Sequence, residues 1–252
     1  MNPARDYDNA VSISLFAEFS GVMTGFAFTA LVLIITLYNN NDKERRERDA
    51  VASLFLVAFI TFVLSTLMHA AVGGEQTASH RAGSETILAD LGLCTAFIHL
   101  FFGLLYLTSV MKMQHSASLL RVVVVVLIPV LGYGYVFGDV VRTAPEFSPL
   151  FIVNSVVLLI IITLPYALVR NYRRDRRSPL LKLLNASSFT FVSLCTTLLV
   201  TAQTQPASYS TPVMLMVSLI LAFDAVLLVF CVMAFHLMFA GRRENEQPSL
   251  HG

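Results

Sequence analysis

Long runs of apolar residues alternate with short polar segments along the whole chain. An α-helix rises about 1.5 Å per residue, so roughly 20 apolar residues cross the hydrocarbon core of a bilayer. Seven runs are long enough to do so. They are Leu15–Tyr38, Val51–Val72, Ile87–Met111, Leu119–Phe137, Leu150–Val169, Leu184–Ala202 and Val213–Ala240. The pattern therefore predicts an all-α, polytopic membrane protein built as a bundle of seven transmembrane helices.

Composition supports a membrane protein and argues against a soluble enzyme. The 252 residues are 56% hydrophobic and only 13% charged, and the mean hydropathy is +0.72. Such a chain is too apolar for a soluble domain of this size. The sequence also lacks the GxSxG, HExxH, CxxC and glycine-rich phosphate-loop patterns. Any function must therefore come from the helix bundle or its short loops.

The distribution of lysine and arginine predicts the orientation in the membrane. Basic residues concentrate in cytoplasmic loops, because positive charge resists translocation. Three of the 17 basic residues lie on the N-terminal side of the predicted bundle and 14 lie on the opposite side. We expect residues 1–14 to be an outer segment, residues 15–240 the transmembrane domain and residues 241–252 a disordered cytoplasmic tail. The plasma membrane is the expected location.

The most basic segment runs from Arg170 to Lys182. Beside a transmembrane helix such a run mainly sets topology and contacts anionic lipid headgroups. We therefore expect lipid, and no nucleic acid, as the partner of this segment.

Two predicted helices carry stripes of small and hydroxyl-bearing residues. In the first, Glu18, Gly21, Gly25 and Thr29 lie within about 80° of one another. Small residues let helix backbones approach closely in lipid, as in the GxxxG pattern. We expect this face to be buried against another helix, and the Gly21/Gly25 face to support a homo- or hetero-oligomer. A second stripe, also predicted to be a helix contact, consists of Thr190, Ser193, Thr197 and Thr201.

Three acids, Glu18, Asp90 and Asp224, fall inside the predicted helices. A charged carboxylate deep in a bilayer costs at least ~3 kcal/mol, and no basic residue lies deep within a predicted helix to offset that cost. Each acid must therefore be neutral, hydrogen-bonded, exposed to water or bound to a cation. The candidate intramembrane polar site consists of Glu18, Ser65, His69, His99, Asn154 and Asp224.

Depths counted along the helices suggest partners within this set. Glu18 and His69 fall at matching depths on antiparallel neighbours, so we expect them to face each other. The alternative interpretation has His69 reaching the membrane surface, with Thr61 and Ser65 bonded to the backbone. Asp90 is expected to touch the outer headgroups. Asp224 is expected inside the bundle, near Asn154 or His99.

Ser65 and His69, spaced SxxxH on the second predicted helix, resemble a motif of the alkaline ceramidase and progestin/adipoQ receptor superfamily. That resemblance implies a zinc ion held within the membrane. The family's pair of histidines spaced HxxxH on the seventh helix is not present, because His236 has Val232 before it and Ala240 after it. The sequence therefore identifies neither a metal nor any other cofactor.

Three functional hypotheses follow. The first is a non-enzymatic sensor, accessory or assembly protein, favoured by the compact loops and the absent enzyme motifs. The second is a small proton- or cation-coupled transporter or channel, in which Glu18, His99 and Asp224 would line one cavity. The third is an intramembrane metal-dependent hydrolase, in which His69 would meet at least two further ligands.

Overall fold

The computed structural model describes residues 9–37, 42–74, 80–111, 177–206 and 212–245, together with positions 113, 116, 119, 120 and 123. In these residues the chain is all helical, with no strand. The five helices are α1 (Asn9–Leu37), α2 (Asp42–Gly73), α3 (His80–Val110), α4 (Arg177–Gln203) and α5 (Val213–Asn245). All five are long and apolar enough to cross a membrane. The membrane-helix prediction is confirmed for this part of the chain.

Two of the seven predicted helices, Leu119–Phe137 and Leu150–Val169, lie almost wholly outside the described residues. Asn154 lies outside them too. So does most of the basic segment Arg170–Lys182, whose last six residues form the start of α4.

The helices extend beyond the apolar runs that predicted them. α2 begins at Asp42 and α3 at His80, nine and seven residues before the predicted starts at Val51 and Ile87. α1 begins at Asn9, inside the predicted outer segment, and α5 continues to Asn245, inside the predicted tail. Backbone hydrogen bonding continues into polar sequence, whereas hydropathy detects only the part that meets hydrocarbon.

α3 is the central helix and α1 lies at the periphery. In the most apolar stretch of each helix, 83% of the residues of α3 are buried but only 17% of those of α1. α3 packs against α2, α4 and α5, and α1 packs mainly against α2. Polar side chains on α3 therefore meet protein on several sides, while most of α1 faces outward.

Among the described residues, three of the four members of the stripe on α4 do not make the predicted helix contact. Thr190, Thr197 and Thr201 are exposed. The hydroxyls of Thr197 and Thr201 donate to backbone carbonyls one turn earlier, at 2.8 Å. These hydroxyls are thus satisfied within α4 itself.

Two glycines let α2 and α3 approach closely. A Cβ placed at Gly103 would lie 3.0 Å from Cε2 of Phe55, and a Cβ at Gly92 would meet the terminal methyl of Met68. Phe55 and Met68 are fully buried on α2. Glycine at these two positions leaves room for one large side chain each.

Replacing Gly103 by alanine should destabilise the bundle by about 1–3 kcal/mol, because the rigid Phe55 ring must shift. Gly25 is the matched control, since a Cβ there meets nothing within 4 Å among the described residues. Thermal unfolding of both alanine variants in detergent measures the difference. Equal melting temperatures for Gly103→Ala and wild type would contradict this view of the α2–α3 contact.

Candidate functional site

Six buried or half-buried polar side chains form two clusters around α3. The His–Asp cluster consists of Ser65 and His69 on α2 and Asp90 on α3. The Asn cluster consists of Ser53 on α2, His99 on α3 and Asn185 on α4. Asp90 and His99 are nine residues apart, so they leave α3 in opposite directions. The two clusters therefore lie on opposite sides of α3, and α2 contributes a side chain to both.

In the His–Asp cluster, both ring nitrogens of His69 are engaged. Nδ1 lies 2.8 Å from the backbone carbonyl oxygen of Ser65 and 3.3 Å from the Ser65 hydroxyl. Nε2 lies 3.2 Å from Oδ1 of Asp90. The side chain of His69 is 1% exposed and that of Asp90 is 0% exposed. The ring of Phe16, on α1, packs over the imidazole at 6.0 Å between centroids.

This geometry corrects two expectations about the acids. His69 contacts Asp90, and Glu18, its predicted partner, is exposed on α1. Asp90 was expected to touch the outer headgroups, but its side chain is fully buried within the protein. The physical reason is the early start of α3 at His80, which places Asp90 about 15 Å along a helix that is enclosed by its neighbours.

A further buried acid, Glu85, precedes the predicted start of the third apolar run. Its carboxylate Oε1 lies 3.8 Å from Nε of Arg81, one turn earlier on α3, and its side chain is fully buried. Arg81 also donates from Nη1 to the backbone carbonyl of Gln205, just past the end of α4. The spacing of four residues between Arg81 and Glu85 was the available signal for this pair.

The Asn cluster joins three helices. Nδ2 of Asn185 donates to the Ser53 hydroxyl at 3.1 Å, and the Asn185 side chain lies beside the His99 ring. Nδ1 of His99 donates to the carbonyl of Thr95 at 3.0 Å. Sequence reasoning selected His99 but missed Asn185, which sits at the second position of its apolar run.

Asp224 is buried on α5, with 4% of its surface exposed, as predicted for an acid that faces the bundle interior. Its position relative to Asn154 lies outside the described residues, as does the side chain of His236.

The described residues do not form a metal site. Within the described ranges, no three His, Cys, Asp or Glu side chains come together in a group that could hold a metal ion. Ser65 and His69 contact each other within one turn of α2, and Nε2 of His69 lies beside Oδ1 of Asp90. The arrangement is suited to holding and exchanging a proton, because it combines an imidazole and a carboxyl group away from water.

Comparisons with protein-family models, with curated proteins and with solved structures find no match to this chain. The functional argument therefore rests on the geometry of the site and of the helix faces.

Replacing Asn185 by leucine should destabilise the bundle by about 1 kcal/mol, because it removes the hydrogen bond to Ser53 and leaves that hydroxyl without its α4 partner. Ala186→Leu adds a side chain of the same type at the exposed neighbouring position and serves as the control. Thermal unfolding in detergent compares the two. An Asn185→Leu protein as stable as the control would show that the Asn cluster does not hold α4 in place.

Proposed function

We propose that this protein is a non-enzymatic accessory or assembly protein of the membrane, which docks a transmembrane helix of a partner on α1. The observation that carries the proposal is the outward position of one face of α1. We call it the docking face, and it consists of Glu18, Gly21, Gly25 and Thr29.

The docking face points away from the surface by which α1 packs into the bundle, except at Gly21, where an added Cβ would lie 3.9 Å from Thr66 of α2. Ala27 and Ile34 are buried against the neighbouring helices, and both lie about 160–180° around α1 from Glu18. All four residues of the docking face are exposed. Among the described residues no helix of the chain covers this face, so the expected burial against another helix would have to come from a partner helix.

Exposure of this face is unfavourable for an isolated chain in lipid. Glu18 lies five residues inside the apolar span that begins at Ile13, about 7.5 Å along the helix axis. A carboxyl group at that depth is destabilising unless it is protonated or paired. Gly25 lies between the large exposed side chains of Val22 and Phe28, which leaves a shallow groove where a second helix can approach.

The chemistry of the face favours a partner helix that carries lysine or arginine near the depth of Glu18. A second copy of this chain would bring two Glu18 carboxyl groups together, and like charges at short distance cannot both ionise. A basic residue on a partner would pair with Glu18 and would also relieve its own unfavourable position in lipid. Charge complementarity thus selects a different protein over self-association.

The test uses synthetic transmembrane peptides in lipid vesicles that contain the full-length protein. One peptide carries a GxxxG face with a single lysine at the depth of Glu18, and the other has leucine in place of lysine. Energy transfer between labels measures association. We expect the lysine peptide to bind at least tenfold more tightly, and Glu18→Gln to remove that preference.

Two further variants separate the roles of shape and charge. Gly25→Ile should abolish binding of both peptides, because it fills the groove. Ile35→Phe enlarges an exposed side chain on the flank of α1, outside the docking face, and should leave binding unchanged. Equal binding of the two peptides, or self-association of the chain without peptide preference, would overturn the proposed partner.

A second candidate function is a small proton- or cation-coupled transporter. One observation favours it, namely that Glu85, Asp90, His99 and Asp224 are all buried. Glu18 cannot share their interior position, because it is exposed on α1. A transport route would therefore run through the bundle without Glu18.

Asp224 distinguishes the two candidates. Asp224→Asn should preserve folding, since an amide keeps the shape and polarity of the carboxyl group. If Asp224 carries protons or cations, a pH gradient should drive no proton or cation uptake into vesicles that contain the Asp224→Asn variant. Vesicles with Glu18→Gln should retain that uptake. Uptake equal to wild type in Asp224→Asn would exclude this residue from any transport route.

The proposal includes the full topology expected from the sequence. It places seven helices in the plasma membrane, the N-terminus outside, the C-terminus in the cytoplasm and the Arg170–Lys182 segment against anionic lipid. The support is the uneven distribution of the 17 basic residues. A reporter fused after Gly252 should be active only in the cytoplasm, and its export would contradict the assignment.

A further inference from the structure

We propose that the contact between α3 and α4 binds one water molecule, held by Nε2 of His99, Oδ1 of Asn185 and Oγ of Ser188. We call these three atoms the water site. It goes beyond the proposed docking function and does not rest on it, since none of its residues belongs to α1.

All three atoms are buried, and none has a hydrogen-bond partner among the described residues. His99 and Ser188 are fully buried, and Asn185 is half-buried with its Oδ1 enclosed. A polar atom that is buried without a hydrogen bond is strongly unfavourable. Ordered water commonly satisfies such atoms inside proteins, and a buried water typically makes about three hydrogen bonds.

The other hydrogen bonds of His99 and Asn185 decide what these two atoms can do. Nδ1 of His99 lies 3.0 Å from the carbonyl oxygen of Thr95, which can only accept, so Nδ1 carries a hydrogen. In the neutral imidazole ring Nε2 is then an acceptor. Nδ2 of Asn185 donates to the Ser53 hydroxyl, so Oδ1 is the free end of the amide and also an acceptor. The two side chains lie beside each other, and neither acceptor can donate to the other.

Ser188 lies at nearly the same depth as these two side chains. It is one turn beyond Asn185 on the same side of α4, about 4.5 Å along the helix axis. A second contact gives the same register, because Thr196 touches the methionine of α2 that packs on Gly92 of α3. Ser188 lies eight residues before Thr196, and His99 lies seven after Gly92 on the antiparallel helix. Both counts place Ser188 close to the level of His99.

The Ser188 hydroxyl is not used by the backbone of its own helix. Serine and threonine in a helix commonly donate to a carbonyl one turn earlier. Ser187 does so to Leu184 at 3.0 Å, and Thr196 does so to Val192 at 2.8 Å. The Ser188 hydroxyl makes no hydrogen bond within the described residues, so it can donate to a bound water.

One water molecule complements all three atoms. It donates one hydrogen to Nε2 of His99 and the other to Oδ1 of Asn185, and its oxygen accepts from the Ser188 hydroxyl. The ligand is neutral, which suits an enclosed position that water reaches only as a single molecule. If the Asn185 amide were turned over, it would donate directly to His99, but Ser188 would still be left without a partner.

The test uses nuclear magnetic resonance of the full-length protein in lipid nanodiscs. The protein is deuterated except for isotope-labelled histidine rings, and the buffer is ordinary water. We expect through-space magnetisation transfer from water to the Hε1 proton of His99. We also expect a hydrogen on Nδ1 of this ring and none on Nε2. Its signal is identified among the six histidines by its loss in His99→Gln.

Two neighbouring serines provide the variant and its matched control. Ser188→Ala removes one of the three hydrogen bonds to the water and should reduce the transfer about twofold or more. Ser187→Ala removes a hydroxyl that donates within α4 and should leave the transfer unchanged.

Transfer to His99 from the Asn185 amide in place of water would demonstrate the direct contact and overturn the water site. A hydrogen on Nε2, or equal transfer in Ser188→Ala and wild type, would overturn it as well. If Ser188→Ala does not fold, the two measurements on the wild-type protein decide, since absence of transfer from water alone contradicts the proposal.

Discussion

Lipid hydrocarbon offers no hydrogen bonds, so every polar group placed within the bundle must be satisfied by the protein itself. Among the described helices α3 carries the largest share of buried polar side chains, and its central position surrounds them with protein. Asp90 leaves α3 on one side toward His69 of α2, while His99 leaves it on the other side toward Asn185 of α4. The polar side chains of α3 thus lie against two different helices.

The same constraint explains why α1 differs from the other helices. Its inward contacts are made by apolar side chains and by Ser20, whose hydroxyl accepts from Thr66 of α2 at 3.1 Å. The acid of α1, Glu18, is exposed and lies away from the polar side chains of the bundle interior. A helix whose polar residue points outward contributes little to the satisfaction of the core, and its polarity is available for contacts beyond the chain.

The apolar runs predicted the five described helices well, because run length reports directly on membrane crossing. They predicted the helix ends poorly, since polar residues such as Asp42 and His80 continue the helix past the hydrocarbon. That error carried over to Asp90, whose depth was counted from a start seven residues too late. Burial of Asp224 followed from its central place in an apolar run, so its location could be predicted without knowledge of any neighbour.

The buried face of each helix and the neighbour that covers it were harder to predict from the sequence. Helical periodicity tells which residues share a side of one helix, as it did for Glu18, Gly21 and Gly25, but it does not tell which neighbour covers that side. The contact between Asn185 and Ser53 joins residues that are 132 positions apart. Such a pair depends on how two helices are rotated about their axes, and one sequence contains no measure of that rotation.

The central place of α3 also bears on how the protein enters the membrane. An isolated α3 would carry Glu85, Asp90 and His99 into lipid without their partners, and its mean hydropathy of 1.9 is below the 2.4 of α2 and the 2.8 of α5. In the folded bundle His69 and Asn185 lie beside two of these groups. During synthesis α2 is available before α3, but α4 is made at least 66 residues later, after position 110. The His99 side of α3 therefore acquires its α4 neighbour only after that further length of chain has been made.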